Sequence, residues 1–396
     1  MQKRANSSQN TLNISMKEFI GIDKEEFESV TKAAYSKARR EFMAEAFLEL
    51  SNDVRDMIYE DKTLRYKGYR LLAIDGSMIR LPNEKRSDLR RYFKPTRVKN
   101  QIKGYKKEVI QARASVLYDV MNEVVIDCYL KNGVKDEEIE SYDERRLALM
   151  HLKECKRDDI VIMDRGYPSY KVIEAFDKNA KFVIRIRKNS FKEAKELFES
   201  KEKEKIAIIK RPSNIDDKNI REKVKVRFVR VDLPNNEVEV LITNIFDKNF
   251  KQEDFKEIYA RRWGIETFYD LIKNRLGLEN FTGYSYDAIM QDFYITMLLT
   301  NLETMYTMDI KLQLKKNEEM KRLNKSVTFN AIKENIIGLF FREDLDLDTM
   351  INNLEKLFKS SIEIVRKKEN KKRNKKEKTK EIRDSLHFHK RKKKVV

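Results

Sequence analysis

Apolar residues follow two different patterns along the chain. Residues 71–74 and 160–163 are unbroken apolar runs bounded by turn-forming residues, which is typical of strands buried on both faces of a sheet. Residues 254–274 instead place apolar side chains such as Ile258 and Ile265 at helical spacing, with polar residues on the neighbouring face. The patterns therefore predict a mixed α/β protein with buried strands and amphipathic helices.

The order of the remaining patterns predicts the core. Strands are expected at 69–77, 109–120, 124–130, 160–164 and 182–187, and helices at 137–152 and 170–179. The second and third strands would form a hairpin around residues 121–123. Three antiparallel strands followed by strand–helix units are the order of a ribonuclease H-like fold, in which the first and fourth strands are parallel neighbours.

The segments outside this core have their own patterns. We expect a helical N-terminal region at 1–66, a β-rich insertion at 190–247 and a helical C-terminal region at 308–365. The core would then consist of residues 67–189 and 248–307, interrupted by the insertion, and a basic tail at 366–396 would end the chain.

Charge is high and unevenly distributed. The formal net charge is +19, and residues 366–396 alone contain 16 Lys and Arg against 4 Asp and Glu. Such a balance favours a polyanionic partner, with nucleic acid as the first candidate and an anionic membrane as the second. The tail would either contact phosphates without sequence preference or serve only to keep the chain soluble.

Other features exclude several classes of protein and site. We find no run of 18 apolar residues and no apolar signal segment after Met1, so we expect a cytoplasmic protein that does not enter a membrane. Cys128 and Cys155 are too far apart for a CxxC motif, which argues against a zinc site. Of three histidines, two lie in the tail and His151 lies in a predicted helix. Carboxylates must therefore carry any catalysis.

Two aspartates, Asp75 and Asp164, directly follow the apolar runs. A buried strand holds an ionised carboxylate only with a partner, whereas a strand end lets side chains emerge into a cleft. Taken alone, each aspartate is more readily explained as a helix cap or turn former than as a functional residue. If the first and fourth strands are parallel neighbours, however, the two carboxylates face each other despite 88 intervening residues.

A third carboxylate belongs to the predicted helix at 254–274. Tyr259, Arg262, Glu266 and Lys273 fall within one narrow wedge of a regular helix. Glu266 could ligate a metal ion there, Arg262 and Lys273 could neutralise phosphate oxygens, and Tyr259 could donate a hydrogen bond to one. The alternative is an ordinary solvated charged face.

These residues together carry a family resemblance. Over residues 69–285, the chain resembles DDE transposases of the bacterial insertion sequence 4 family. Asp75, Asp164 and Glu266 match the family's catalytic triad. Tyr259, Arg262, Glu266 and Lys273 match its Tyr-Arg-Glu-Lys signature with no change in spacing. One departure is that related enzymes often carry a Trp in the insertion to stack a flipped base, whereas Trp263 beside the signature is the only Trp here.

The resemblance implies a function. Asp75, Asp164 and Glu266 would hold two Mg²⁺ or Mn²⁺ ions that support cleavage at element ends and strand transfer into target DNA, with a hairpin intermediate. The partners would be the terminal inverted repeats, the target DNA and a second copy of the chain in a synaptic dimer. The N-terminal region would bind element ends, although its helices could equally serve only to pack against the core, and the protein would act in the bacterial cytoplasm at the nucleoid.

Further DNA contacts and two alternative functions complete the predictions. The basic loop at 94–107, with Lys103, Lys106 and Lys107, joins the strand of Asp75 to its neighbour and is a candidate DNA contact. A ribonuclease H-like nuclease would share the carboxylates but would not need the signature. A noncatalytic DNA-binding protein derived from a transposase would tolerate losses from the triad, yet all of its residues are present.

Overall fold

The structure is a computed structural model of the full chain. The residues that it describes are 8–20, 30–61, 63–85, 87–99, 106–233, 237–316, 321–342 and 344–364. Contacts divide the chain into a larger unit, Met43–Met305, and a smaller unit formed by Met1–Phe42 and Tyr306–Val396. No helix among these described residues is both long and apolar enough to cross a membrane.

Strands and helices occur in the following order along the chain. The strands are β1 (Arg70–Arg80), β2 (Pro95–Lys99), β3 (Lys106–Asp119), β4 (Val124–Asn132), β5 (Asp159–Met163), β6 (Lys181–Ile186), β7 (Glu204–Lys210), β8 (Lys223–Asp232), β9 (Val238–Thr243), β10 (Lys321–Leu323) and β11 (Ile362–Ile364). The helices are α1 (Ser8–Ile20), α2 (Lys32–Glu41), α3 (Glu45–Glu60), α4 (Glu144–Met150), α5 (Tyr170–Asn179), α6 (Lys192–Glu199), α7 (Gln252–Ala260), α8 (Trp263–Asp270), α9 (Tyr286–Lys316), α10 (Lys325–Phe341) and α11 (Leu347–Ser360).

A nine-stranded mixed sheet forms the centre of the larger unit. Its order is β2-β3-β1-β5-β6-β9-β8-β7, and β4 also pairs with β3. β1, β3 and β4 are antiparallel neighbours, whereas β1, β5 and β6 are parallel. The prediction that the strands of the two apolar runs are parallel neighbours is therefore confirmed. Residues 71–74 and 160–163 are all 0% exposed, as expected for strands covered on both faces.

The strands at 190–247 continue the same sheet. β9 pairs antiparallel with β6, and β8 and β7 follow it outward. The β-rich character of this segment was predictable because β8 alternates charged and apolar residues along much of its length. Its attachment to β6 was not, because strand pairing across the sheet has no local sequence pattern.

The observed elements differ from the predicted ones in four places. The helix predicted at 137–152 begins only at Glu144, because the Asn132 side chain donates to the carbonyls of Val134 and Glu140 and holds the intervening chain in a loop. Asp143 then caps the helix by accepting from Arg146 N. β2 was not predicted at all, since its residues lie in a segment that reads as a basic loop.

The third difference concerns β1. Its parallel pairing with β5 ends at Ile74, whereas its antiparallel pairing with β3 continues to Arg80. Asp75 consequently lies inside β1 rather than at its end, which corrects the prediction. From Asp75 onward, the edge of β1 that faced β5 pairs with no strand among the described residues. The space that this leaves beside the Asp75 carboxylate is the cleft.

The prediction of one regular helix at 254–274 is wrong. α7 ends at Ala260, α8 begins at Trp263, and Leu271–Arg275 form a π-helical turn. At the junction the hydrogen bonds are of the tighter i→i−3 kind, from Arg262 N to Tyr259 O at 3.1 Å and from Ile265 N to Arg262 O at 3.1 Å. The chain keeps its right-handed coil, so the signature side chains still reach the strands.

The described part of the smaller unit is helical apart from a short two-stranded sheet. α1, α2, α10 and α11 lie in it, and β10 pairs antiparallel with β11. Phe19 of α1 and Phe341 of α10 form a ring contact with centroids 5.6 Å apart. The basic tail at 366–396 lies outside the described residues.

Candidate active site

The two aspartates lie at the same level on neighbouring strands. Ile74 of β1 is in register with Met163 of β5, and Asp75 and Asp164 are the next residues along each chain. Neighbouring strands are about 4.8 Å apart. Gly76 N donates to Asp75 Oδ1 at 2.9 Å, which fixes the orientation of that carboxylate. The fold therefore brings both side chains to one cleft.

Glu266 approaches this cleft from the first turn of α8. Its Oε1 lies 2.7 Å from Nη2 of Arg262, whose side chain is only 7% exposed. The positive charge of Arg262 also favours the ionised forms of Asp75 and Asp164. One buried guanidinium thus lies among three carboxylates, and its Nε has no hydrogen-bond partner among the described residues.

The two other signature side chains contact the strands that carry the aspartates. The Tyr259 hydroxyl donates to Asp164 Oδ1 at 2.9 Å. Lys273 Nζ donates to Ser77 Oγ at 2.6 Å and to Met78 O at 2.8 Å. In the absence of DNA these groups therefore have protein partners, and phosphate contact by Tyr259, Arg262 and Lys273 stays a prediction.

The two aspartates differ in electrostatics. Burial raises the pKa of Asp75 to about 6; the Gly76 N–H and Arg262 oppose the shift, whereas the charges of Glu266 and Glu144 add to it. Burial also raises the pKa of Asp164, but hydrogen bonds from Arg165 N–H and Tyr259 and the charge of Arg262 outweigh it, so this pKa lies below its ordinary value. Asp164 is thus stabilised as an anion, whereas Asp75 is an anion held against a desolvation cost.

Several groups near the cleft were not predicted from the sequence. Glu144, in the first turn of α4, would lie with its Cγ 3.4 Å from a methyl group placed on Gly76. The hydroxyl of Tyr167 would lie 3.7 Å from the same methyl group. The Asp-Arg-Gly-Tyr run after β5 is the one sequence signal that places Tyr167 close to Asp164, and no local signal marks Glu144.

The donor set suits a hard divalent cation. Carboxylates are the side-chain ligands that Mg²⁺ and Mn²⁺ prefer, and Asp75 and Glu266 are close enough for the charge of Glu266 to raise the pKa of Asp75. Among the described residues, no group of three or more His, Cys, Asp or Glu side chains lies close enough together to hold a metal ion. Glu266 is paired with Arg262 instead.

A basic cavity adjoins the second aspartate. It has a volume of about 250 Å³ and is lined in part by Arg165, Arg185, Arg187 and Lys188. Arg185 forms an ion pair with Glu239 at 3.0 Å, so part of its charge is neutralised. The cavity lies directly beyond Asp164, because Arg165 is the next residue. An anion such as a phosphate fits this lining.

The predicted loop lysines are only partly described. Lys103 lies outside the described residues. Lys106 and Lys107 are in β3, where they pair with Lys99 and Val98 of β2, but the positions of their side chains are not described. Their contact with DNA stays a prediction.

Comparison with known proteins places the chain in a family. No curated protein matches the sequence. Among solved structures, it is similar to the cryo-EM structure of the piggyBac transposase synaptic complex with hairpin DNA, with 11% sequence identity and a TM-score of 0.40. That similarity covers 72% of this chain but 57% of the other, so this chain spans little more than half of that transposase.

The family model of the transposase DDE domain matches residues 66–302. This span is more than half of the chain. It contains the whole nine-stranded sheet, both strand aspartates and the helix of Glu266. The protein belongs to the family of the transposase DDE domain.

Proposed function

We propose that this protein is a DDE transposase that cuts DNA at element ends and joins the cut ends to target DNA. The observation that carries the proposal is the position of Asp75 and Asp164 on adjacent parallel strands, with Glu266 brought to them through Arg262. Membership of the transposase DDE domain family supports the same reading.

The finer classification rests on topology and on one motif. The order β4-β3-β1-β5-β6, with three antiparallel strands followed by parallel ones, agrees with a ribonuclease H-like core. The Tyr-Arg-Glu-Lys spacing supports membership of the insertion sequence 4 group. Tyr259 contacts Asp164, Arg262 pairs with Glu266, and Lys273 contacts β1 two and three residues beyond Asp75, which supports a functional motif.

Asp75, Asp164 and Glu266 would hold two Mg²⁺ or Mn²⁺ ions. Bound there, such ions supply charge neutralisation at the phosphate and lower the pKa of an attacking water or 3′-hydroxyl. The chain's own residues prepare the site. The Gly76 N–H orients Asp75. Before the cations and DNA bind, Tyr259 donates to Asp164 and Arg262 pairs with Glu266, and both side chains would then be released to phosphate oxygens.

DNA would approach over the basic cavity that adjoins Asp164. The cavity beyond Asp164 offers Arg165 and Arg187 to a phosphate backbone, whereas Lys188 there is paired with Glu199 at 3.0 Å. We further propose that element ends and target DNA are held by two copies of the chain, at the nucleoid of a bacterial cell.

Paired binding and cleavage assays test this proposal. Asp75→Ala, Asp164→Ala and Glu266→Ala should each abolish Mg²⁺-dependent cleavage of a duplex that carries the element end, because each removes a ligand whose charge neutralisation is worth several kcal/mol in the transition state. Binding to the same duplex in a gel shift should be largely retained.

Glu257→Ala is the matched control for Glu266→Ala. Glu257 is an exposed carboxylate of α7 that pairs with Arg261 at 2.6 Å, so its loss removes the same charge at the same stretch of chain. It should leave cleavage close to wild type. Wild-type cleavage by any triad variant would remove that residue from the site, and retained cleavage by all three would refute the proposed function.

A further inference from the structure

A fourth carboxylate, that of Glu144, lies between the backbones that carry the two aspartates. A methyl group added at Gly76, the residue after Asp75, would lie 3.4 Å from Glu144 Cγ. One added at Gly166, two residues after Asp164, would lie 3.1 Å from Glu144 Oε2, which is tighter than ordinary contact. Two glycines therefore leave room for one glutamate at the cleft.

The α4 terminus is tied to this position. Arg145 Nε donates to Gly166 O at 3.1 Å, so the start of the helix is fastened to the turn that follows Asp164. Glu144 Oε1 lies 2.7 Å from Arg113 Nη1, whereas Oε2 is the oxygen directed at Gly166. With a side chain 41% exposed, Glu144 forms a pair with Arg113 of the kind that contributes about 0–1 kcal/mol. Stability alone therefore explains little of this arrangement.

The hydroxyl of Tyr167 points to the same space. Tyr167 is 1% exposed, and its hydroxyl has no hydrogen-bond partner among the described residues. It would lie 3.7 Å from the methyl group placed on Gly76, and the charges of both Asp75 and Glu144 act on it. A buried donor without an acceptor costs about 1–3 kcal/mol. An oxygen-bearing ligand between Glu144 and Asp75 would remove that cost.

We propose that Glu144 is a fourth carboxylate ligand of the divalent-cation site and that Tyr167 donates a hydrogen bond to a phosphate oxygen brought there with the cation. The inference rests on the proposed function, because it adds to the same site. Carboxylate oxygens are the preferred protein ligands of Mg²⁺ and Mn²⁺, and Glu144 Oε2 is the carboxylate oxygen that faces the turn after Asp164.

Direct binding of Mn²⁺ tests the role of Glu144 without reliance on activity. Full-length protein is titrated with Mn²⁺ in the absence of DNA, and free Mn²⁺ is measured by electron paramagnetic resonance. Glu144→Gln should weaken binding at least about tenfold, since even groups that only support a metal ligand change affinity about 10- to 100-fold. Glu138→Gln, which removes an exposed carboxylate from the preceding loop, is the matched control and should bind as the wild type does.

A second variant distinguishes ligation from a purely structural role. If Glu144 serves only as the partner of Arg113, then Arg113→Gln should weaken Mn²⁺ binding as much as Glu144→Gln does. If Glu144 is a ligand, Arg113→Gln should leave the affinity unchanged or increase it, because the carboxylate is released. Thermal melts without metal confirm that each variant is folded, and Glu144→Asp replaces Glu144→Gln if the latter is not.

The role of Tyr167 has a separate readout. Tyr167→Phe should leave the Mn²⁺ affinity unchanged, yet lower the rate of cleavage at saturating Mn²⁺ about tenfold, as expected for a hydrogen bond of about 1.4 kcal/mol made in the reacting complex. An unchanged rate would remove Tyr167 from the inference.

The outcomes separate this inference from the proposed function. Asp164→Asn serves as the reference for a lost ligand. If Asp164→Asn weakens Mn²⁺ binding and Glu144→Gln does not, the inference about Glu144 is wrong and the proposed function stands. If wild-type protein binds Mn²⁺ no better than Asp164→Asn, both are wrong.

Discussion

Asp75 should destabilise the folded protein when it is ionised and no cation is bound. Burial raises its pKa from an ordinary value of 3.8 to about 6, so the folded state binds this proton more tightly than the unfolded state does. This tighter proton binding stabilises the folded state. Its contribution is fully present below the pKa that Asp75 has in the unfolded chain, and it is lost as the pH rises through the pKa that Asp75 has in the folded protein. At about 1.4 kcal/mol for each pKa unit, the loss amounts to about 3 kcal/mol at pH 7.

Asp75→Asn removes this charge and keeps an oxygen that can accept from Gly76 N. We therefore expect the variant to abolish cleavage and to raise the free energy of unfolding at pH 7 by up to about 3 kcal/mol. The measurement is urea unfolding with a chelator present, at pH 7 and again near pH 4, where the difference from wild type should largely disappear. An unchanged m value would show that only stability has changed.

Asp164→Asn is the control with the opposite sign. Its hydrogen bonds and the charge of Arg262 hold the pKa of Asp164 below the ordinary value, so its ionised form stabilises the fold at pH 7 and that contribution is lost as the pH falls. The variant should be less stable than wild type. If Asp75→Asn were also less stable than wild type at pH 7 with chelator, the argument that burial disfavours the ionised form of Asp75 would be refuted.

Three further predictions follow from the site and the sequence. Lys273→Ala and Arg262→Ala should slow cleavage and weaken the synaptic complex with little change in Mg²⁺ dependence, and Tyr259→Phe should do so more mildly; full rescue by excess Mg²⁺ would show instead that they only hold the carboxylates. Removal of residues 366–396 should weaken nonspecific DNA binding and flatten its log–log salt dependence, and an unchanged slope would mean that the tail makes no phosphate contacts. At subsaturating Mg²⁺, cleavage should fall as the pH drops below about 6, because protonation of metal-free Asp75 competes with cation binding, and saturating Mg²⁺ should move the fall to lower pH; a pH–rate profile that is flat at subsaturating Mg²⁺ would exclude that role.

The centre of the fold was predictable because its signals are local. Residues 71–74 and 160–163 are unbroken apolar runs, and such runs are sufficient to indicate strands covered on both faces. Alternation of predicted strands and helices then made the parallel pairing of β1 with β5 the expected topology. From that pairing alone, Asp75 and Asp164 could be placed side by side.

The differences arise where distant residues decide local structure. β1 continues past Asp75 because β3 pairs with it to Arg80, and nothing within β1 itself signals that length. α4 starts late because Asn132, on the preceding strand, holds the loop before it. The helical wedge predicted for the signature assumed one regular helix, whereas the i→i−3 bonds at Arg262 divide it into α7 and α8.

The candidate site also contains some residues that local sequence signals reveal and others that only the folded chain brings together. Asp75, Asp164 and Glu266 could be named from the strand ends and from a spaced motif, because both signals lie within short segments. Glu144 and Tyr167 could not, because their place at the cleft depends on how α4 packs against strand β1 at Gly76 and against the turn at Gly166. Glycine at these two positions is the sequence feature that permits the approach, but its meaning is visible only in the folded chain.

The central claim is that Asp75, Asp164 and Glu266 together hold the cations at the scissile phosphate. The most direct test is a structure of the protein with element-end DNA and Mn²⁺, in which the ions are located by their anomalous scattering. The account predicts Mn²⁺ within about 2.1 Å of carboxylate oxygens of all three residues, with Glu266 no longer paired with Arg262. A cleavage-competent complex in which Glu266 remains bound to Arg262, and the ions lie away from Asp75 and Asp164, would contradict it.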